Sequence, residues 1–388
     1  MDPDLSALDA TLGDCDGYLV DADGADSTQR YLSGFDAPDP FLTCYTPAGV
    51  HLLVSGLEYG RARTDARADT VSRLSTYDYR ERVSEAGPVA GRAAVVADFL
   101  ADRGVDSVLV PARFPLGTAD GLREAGVTVR VDGDDAVTRI RAVKTDAEIE
   151  HVRRAQRANE RAMATAESLI ESTTVVSGVL HHDGEPLTSE AVRRAIERTL
   201  LDEGCALDET IVACGADAAD PHDRGSGPLR ADEPIVVDIF PRDKETRYHA
   251  DMTRTFLRGE PDPTLREWFE VTDEARRAAL DAVEPGVTGE AVHAAACDVY
   301  EAAGLPTLRT DPTTETGFIH STGHGVGLDV HELPRVAPDG DALEPGNVIT
   351  IEPGLYDPEV GGVRIEDLVV VTAEGAENLT EYPVELVV

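Results

Sequence analysis

The chain has 388 residues, 41% of them hydrophobic, and a formal net charge of −39. Its length and apolar content support more than one core, while the charge excludes nucleic-acid phosphates and anionic membranes as partners. Apolar runs recur along the whole chain, which excludes an acidic disordered tail; no stretch reaches the ~20 apolar residues of a membrane span.

The N-terminus shows no signal-peptide pattern. Cys15, Cys44, Cys205, Cys214 and Cys297 form no CxxC pair. An odd set of this kind points to reduced thiols in the cytoplasm.

Strand-like runs at 17–20, 41–45, 51–55, 107–110 and 127–131 alternate with helical spacing over 89–103, which stops at Gly104. This pattern predicts a small α/β layer domain over residues 1–135. Residues 136–145 read as a linker. Thr145, with Glu148 three positions on, predicts a capping box at the start of a long helix. Residues 175–184 read as a loop, and the His181-His182 pair within it is assigned to solvent rather than to a metal. Helices are predicted over 189–203, 264–283 and 288–303, separating the strands of a domain over 146–388.

That second domain carries the chemistry. Four carboxylates stand among apolar, strand-like residues: Asp238 in Val-Val-Asp-Ile-Phe, Asp251 in Ala-Asp-Met-Thr-Arg, Glu352 in Ile-Glu-Pro-Gly and Glu366 in Val-Arg-Ile-Glu-Asp. His324 lies between Gly323 and Gly325, where missing side chains allow close backbone approach. Buried carboxylates need compensating positive charge or they neutralise, and two divalent metal ions would supply it. One imidazole among four carboxylates suits Mn²⁺ first, with Co²⁺, Fe²⁺ or Zn²⁺ as alternatives. The runs at 235–240 and 247–257 predict a hairpin. A turn centred between Lys244 and Glu245 would set Asp238 opposite Asp251, with Cβ atoms about 4.5–5.5 Å apart. Arg364 and Glu366, two apart on a strand, share a face.

The order Asp, Asp, His, Glu, Glu, with Ile-Glu-Pro-Gly at 351–354 and Val-Arg-Ile-Glu-Asp at 363–367, resembles the pita-bread metallopeptidases. These include methionine aminopeptidase, aminopeptidase P and prolidase. The run from His320 to Glu332 resembles their Xaa-Pro branch. Arg30-Tyr31-Leu32-Ser33-Gly34-Phe35 resembles the creatinase-type N-terminal domain, and Arg141 to Ile149 resembles the family linker.

The resemblance implies an α+β pita-bread C-terminal domain, a curved antiparallel sheet with flanking helices, behind a smaller α/β creatinase-like N-terminal domain. It implies that Asp251 and Glu366 bridge two metal ions, that Asp238 chelates one, and that His324 and Glu352 complete the other. It assigns catalytic roles to His222, His331 and Glu352, with His331 bonding the scissile carbonyl. It puts His320 at the substrate pocket wall and Arg364 beside the substrate, holding a product carboxylate or pairing with a site acid. The implied activity is hydrolysis of Xaa-Pro bonds, as aminopeptidase P or prolidase, by a metal-bridging hydroxide. The implied partners are a peptide with proline second and another copy of the chain in a homodimer. The alternatives are a methionine aminopeptidase-like enzyme, which usually lacks so long an N-terminal domain, and an inactive pita-bread binding protein, which usually loses ligands. One departure stands out. The two aspartates are thirteen apart rather than the family's eleven, and the two added turn residues preserve facing.

Only two of the 35 basic residues are lysines, Lys144 and Lys244, against 74 acids. That balance resembles the surface of a halophilic archaeal protein, where molar salt shortens the Debye length to roughly 3 Å and screens the repulsion.

Overall fold

A computed structural model describes residues 5–388. The chain divides into two compact units, Met1–Arg141 and Ala142–Val388. The division falls within 136–145, much of which is not open linker: Ala136–Ala142 is helical.

In the first unit six strands form one sheet: β1 (Gly17–Ala22), β2 (Phe41–Thr46), β3 (Gly49–Val54), β4 (Thr70–Arg73), β5 (Ser107–Val110) and β6 (Thr128–Val131). Their order is β4-β3-β2-β1-β5-β6. The central pairs β1–β2 and β2–β3 are antiparallel, and the outer pairs are parallel. The sheet forms because Leu19, Leu42, Leu53, Val108 and Val110 bury a common face against Val95, Val96, Phe99 and Leu100. Those four lie on the helix Tyr79–Ala101, which breaks at Gly87 (φ 83) just before Pro88.

The second unit opens with the predicted cap. Thr145 N donates to Glu148 Oε2 at 2.8 Å, and Glu148 N donates to Thr145 Oγ1 at 3.4 Å. Together they start the helix Asp146–Glu171. Its Ala158, Ala162, Ala166 and Ile170 pack with Val192, Ile196 and Leu200 of the helix Ser189–Asp202 and with the strands beneath.

Residues 175–184 are not a loop. They belong to a three-stranded meander of β7 (Thr174–Val176), β8 (Val179–His182) and β9 (Glu185–Pro186). Ser177-Gly178 and Asp183-Gly184 turn its corners, and all four residues have positive φ. Two-residue turns of this hand match the twist of the flanking strands, and Asp-Gly is a strong sequence signal for one.

The site is built by further antiparallel strands. β10 (Cys205–Ala206), β11 (Thr210–Cys214), β12 (Ile235–Ile239), β13 (Arg242–Asp243) and β14 (Met252–Phe256) come first. After the helices Pro263–Asp281 and Gly289–Ala302 come β15 (Gly323–Gly325), β16 (Glu332–Val336), β17 (Val348–Ile351), β18 (Gly354–Asp357), β19 (Gly361–Arg364), β20 (Asp367–Thr372) and β21 (Gly375–Asn378). They assemble as β11-β12-β14, β16-β15-β17-β20-β21, β18-β19 and β10-β13. A core of Trp268, Ala275, Val292, Tyr300, Ile349, Ile351, Val363 and Val369 fastens both helices to the second and third of these sheets. Trp268 is therefore a packing residue. Among the described residues no helix is long and apolar enough to cross a membrane.

Candidate metal centre

The hairpin register differs from the expected one. Asp238 on β12 pairs with Thr253 on β14, not with Asp251. The turn closes one residue later because Asp243 Oδ1 accepts from Glu245 N (2.9 Å) and Thr246 N (2.8 Å), and Arg247 takes the left-handed conformation (φ 71). Asp251, two residues before Thr253, is thus the diagonal neighbour of Asp238 on the same face. The displaced register inserts Thr253 into the site. Its hydroxyl donates to Glu366 Oε2 at 2.8 Å and accepts from Arg364 Nε at 3.2 Å. Arg364 and Glu366 therefore do share a face.

His324 sits on β15, where only glycine fits on either side. A Cβ on Gly323 would lie 2.0 Å from the Thr350 carbonyl oxygen, and one on Gly325 would lie 2.2 Å from that of Leu333. The imidazole Nε2 approaches Glu352 Oε1 at 3.3 Å and Asp251 Oδ2 at 3.8 Å. Thr350 orients this corner, since its hydroxyl accepts from His324 N at 3.0 Å and donates to Glu352 Oε1 at 3.3 Å. Ligand atoms of Asp251, His324 and Glu366 lie within 4.8 Å of one another.

The electrostatics are those of an acid cluster short of positive charge. Burial, then the charges of Glu366, Asp238 and Glu352, pushes Asp251 well above the usual carboxylate range. Burial, then Glu352 and Asp238, does the same to Glu366. Asp238 is raised by burial although Arg364 opposes the shift. Burial also disfavours the Glu352 charge, but the hydrogen bond and charge of His324 hold this carboxyl down at about 2. His324 is raised in turn, with Glu352 outweighing its burial.

Asp238 Oδ1 and Glu366 Oε1 are buried without a hydrogen-bond partner among the described residues. Orphaned buried polar atoms are rare in folded proteins. Two of them, both carboxylate oxygens in an acid pocket, fit a bound cation. The residues present therefore suit a metal: Asp251, His324 and Glu366 could hold one, with Asp238 and Glu352 beside them.

Around this cluster, Arg364 Nη2 pairs with Asp238 Oδ2 at 2.8 Å, and Nη1 donates to the Tyr356 hydroxyl at 2.8 Å. Of its two expected roles, the structure displays pairing with a site acid. His320 is half-buried, with Nδ1 2.7 Å from the Ser321 carbonyl oxygen and Nε2 3.0 Å from the Tyr356 hydroxyl. The carbonyl can only accept, so Nδ1 carries the proton and Nε2 accepts from Tyr356. His331 packs edge-on against His324, ring centroids 4.1 Å apart. His222 is exposed; burial lowers both His320 and His331, with His222 a smaller contributor. His181 and His182 lie away from these groups, on β8; His182 meets Ser172 and Asp183.

Sequence reasoning missed Thr253, Thr350 and Tyr356. Alternation could have found the first two: Thr253 follows Asp251 by two, and Thr350 precedes Glu352 by two. No local signal marks Tyr356, which β18 brings to Arg364.

Residues 150–373 match metallopeptidase family M24. The probable dipeptidase PepE of Mycobacterium tuberculosis is 38% identical over 282 residues, spanning 72% of this chain and 68% of that protein. The Xaa-Pro dipeptidase of Pyrococcus furiosus is 34% identical over 257 residues, 65% of this chain and 67% of that protein. The solved prolidase of Pyrococcus horikoshii superposes with a TM-score of 0.78 at 25% identity, covering 98% of both chains. The X-Pro aminopeptidase of Thermotoga maritima gives 0.78 at 26% identity over 98% of this chain and 99% of that one. The fold is thus the pita-bread fold shared with the prolidase structures, and the chain belongs to metallopeptidase family M24.

Proposed function

We propose that the chain is a prolidase-like exopeptidase that hydrolyses Xaa-Pro bonds with two divalent ions, manganese first. The observation that carries this reading is the cluster of three buried acids, Asp238, Asp251 and Glu366, beside the half-buried His324 and Glu352, with two orphaned oxygens. The similarity to an Xaa-Pro dipeptidase supports the substrate class.

When bound, the ions supply Lewis acidity that activates a water and polarises the scissile carbonyl. Asp238, Asp251, His324, Glu352 and Glu366 would hold them, Asp238 and Glu366 through their orphaned oxygens. Glu352 is the acceptor for the proton of the attacking water and passes it to the leaving nitrogen. His331, packed on His324, donates to the developing oxyanion. Proline's leaving nitrogen carries no N–H before cleavage, so recognition rests on shape and on charge at the peptide ends. Arg364 is engaged through Nε, Nη1 and Nη2 by Thr253, Tyr356 and Asp238.

The test is a substrate panel in high KCl with Mn²⁺, using Xaa-Pro dipeptides and Xaa-Pro-Yaa tripeptides. Cleavage of the dipeptides alone selects the dipeptidase, and turnover of neither refutes the reading. Two lysines among 35 basic residues and a charge of −39 also support stability that depends on molar salt. Melting temperatures that do not change with KCl would rule that out. The five cysteines are free thiols, which fits a reducing cytoplasm.

A further inference from the structure

One buried ion pair sits beside the metal centre without touching it. Lys144 Nζ lies 2.5 Å from Glu332 Oε1, with the two side chains 1% and 2% exposed. A buried pair is weak evidence of added stability, because desolvation offsets the attraction. Its placement is more telling.

Lys144 is rigidly held. Its amide donates to the Gly346 carbonyl at 2.9 Å, and Asn347 Nδ2 donates to the Ala142 carbonyl at 2.9 Å. The next residue, Thr145, caps the long helix. Glu332 follows His331 directly and pairs with Gly325, the residue after His324. Its Oε2 accepts from Asp329 N at 3.4 Å. A Cβ on Gly327 would come within 2.4 Å of Oε1, so the carboxylate seals the loop from below. This one carboxylate gathers residues 325–332 and ties them to a fixed ammonium.

The choice of cation is equally specific. The chain has 35 basic residues and only two lysines, yet one of them stands at this buried position. A compact ammonium on a flexible stem fits a single-point contact, whereas a planar guanidinium demands a wider, forked site.

We propose that Lys144 and Glu332 are positioning residues: their pair fixes the 325–332 loop and so holds His331 over His324. The effect on turnover rests on the peptidase reading above; the effect on the loop does not.

Lys144→Met combined with Glu332→Leu removes both charges together and leaves no lone buried ion, so this variant keeps its fold. Lys144→Arg keeps the charge but not the size. Three quantities are compared with the unaltered protein: metal bound per chain, kcat and KM on an Xaa-Pro dipeptide, and amide hydrogen exchange along the chain. In the double variant the expected result is unchanged metal content, little change in KM, a kcat lower by about tenfold or more, and faster exchange confined to 325–332. Lys144→Arg is expected to lower kcat as well. Wild-type kcat in either variant, or a loss of kcat that only tracks lost metal or general unfolding, overturns the proposal. If the unaltered protein cleaves no Xaa-Pro peptide, the substrate reading fails by itself. The exchange data then decide the anchor: faster exchange at 325–332 supports it, and unchanged exchange overturns it.

Discussion

Glu366 and Asp367 are neighbours in sequence, are both buried, and meet opposite electrostatic fates. Asp367 accepts from Arg254 Nη2 (2.9 Å) and Asn378 Nδ2 (2.8 Å) and pairs with Arg276 Nη1 (2.5 Å). Arg254 also donates to the carbonyls of Glu366, Thr253, Tyr382 and Pro383, so its guanidinium is fully used by the protein. Glu366 faces the other way, with one oxygen on Thr253 and the other orphaned. The contrast separates two kinds of buried acid. One is neutralised by arginines the chain supplies; the other waits for charge from outside.

Substitution breaks the comparison most sharply. Asp251→Ala is expected to lower kcat by about a thousandfold, roughly 4 kcal/mol of transition-state stabilisation, while the metal-free protein melts no lower than the unaltered chain. Peptidase assays and calorimetry of the chelated protein check both halves; retained hydrolysis would contradict the metal assignment. Asp367→Ala should do the reverse to stability. It leaves Arg254 buried beside fewer acceptors and is expected to cost about 3–5 kcal/mol by urea unfolding.

Removing the ions tests the same division without mutation. Exhaustive chelation should abolish hydrolysis and lower stability by about 2.7 kcal/mol relative to protein at a hundredfold excess of metal over Kd. A melting temperature indifferent to Mn²⁺ would argue against a bound cation. Thr253→Val is a smaller perturbation. It removes the hydroxyl shared by Glu366 and Arg364 and should weaken metal affinity by about 10–100-fold, read by competition with a chelating dye.

The smallest expected effect concerns pH. His293 is depressed to about 4, chiefly by burial, with the charge of Arg309 adding to the shift. It stays neutral in the fold while the unfolded chain takes up a proton near pH 6.5. Its contribution is therefore present above about pH 6.5 and lost as pH falls toward 4. His293→Gln should flatten that part of the melting-temperature profile; an unaltered slope would show that His293 does not set it.

Much of the second unit was legible because its signals are local. Thr145 and Glu148 declare a helix start through groups three residues apart. Acids in apolar strands announce a need for cations, because no cluster of basic residues stands near all four. The hairpin register was not legible in the same way. It turned on Asp243 accepting from two backbone amides, and so the partner of Asp238 became Thr253. The meander at 174–186 carries a turn signal in Asp183-Gly184, but its strands, Thr174–Val176, Val179–His182 and Glu185–Pro186, are too short for alternation to mark them.

By itself the sequence determined which residue types were available: five oxygen or imidazole ligands in a fixed order, glycines flanking His324, and a near absence of lysine. These follow from periodicity and composition, which act over a few residues. Tertiary structure alone decided which oxygens meet arginine and which stay orphaned, that Arg364 pairs with Asp238, that Tyr356 reaches His320, and that Lys144 meets Glu332. Those contacts join residues far apart in the chain, and their partners are chosen by strand register and packing, which no local pattern encodes.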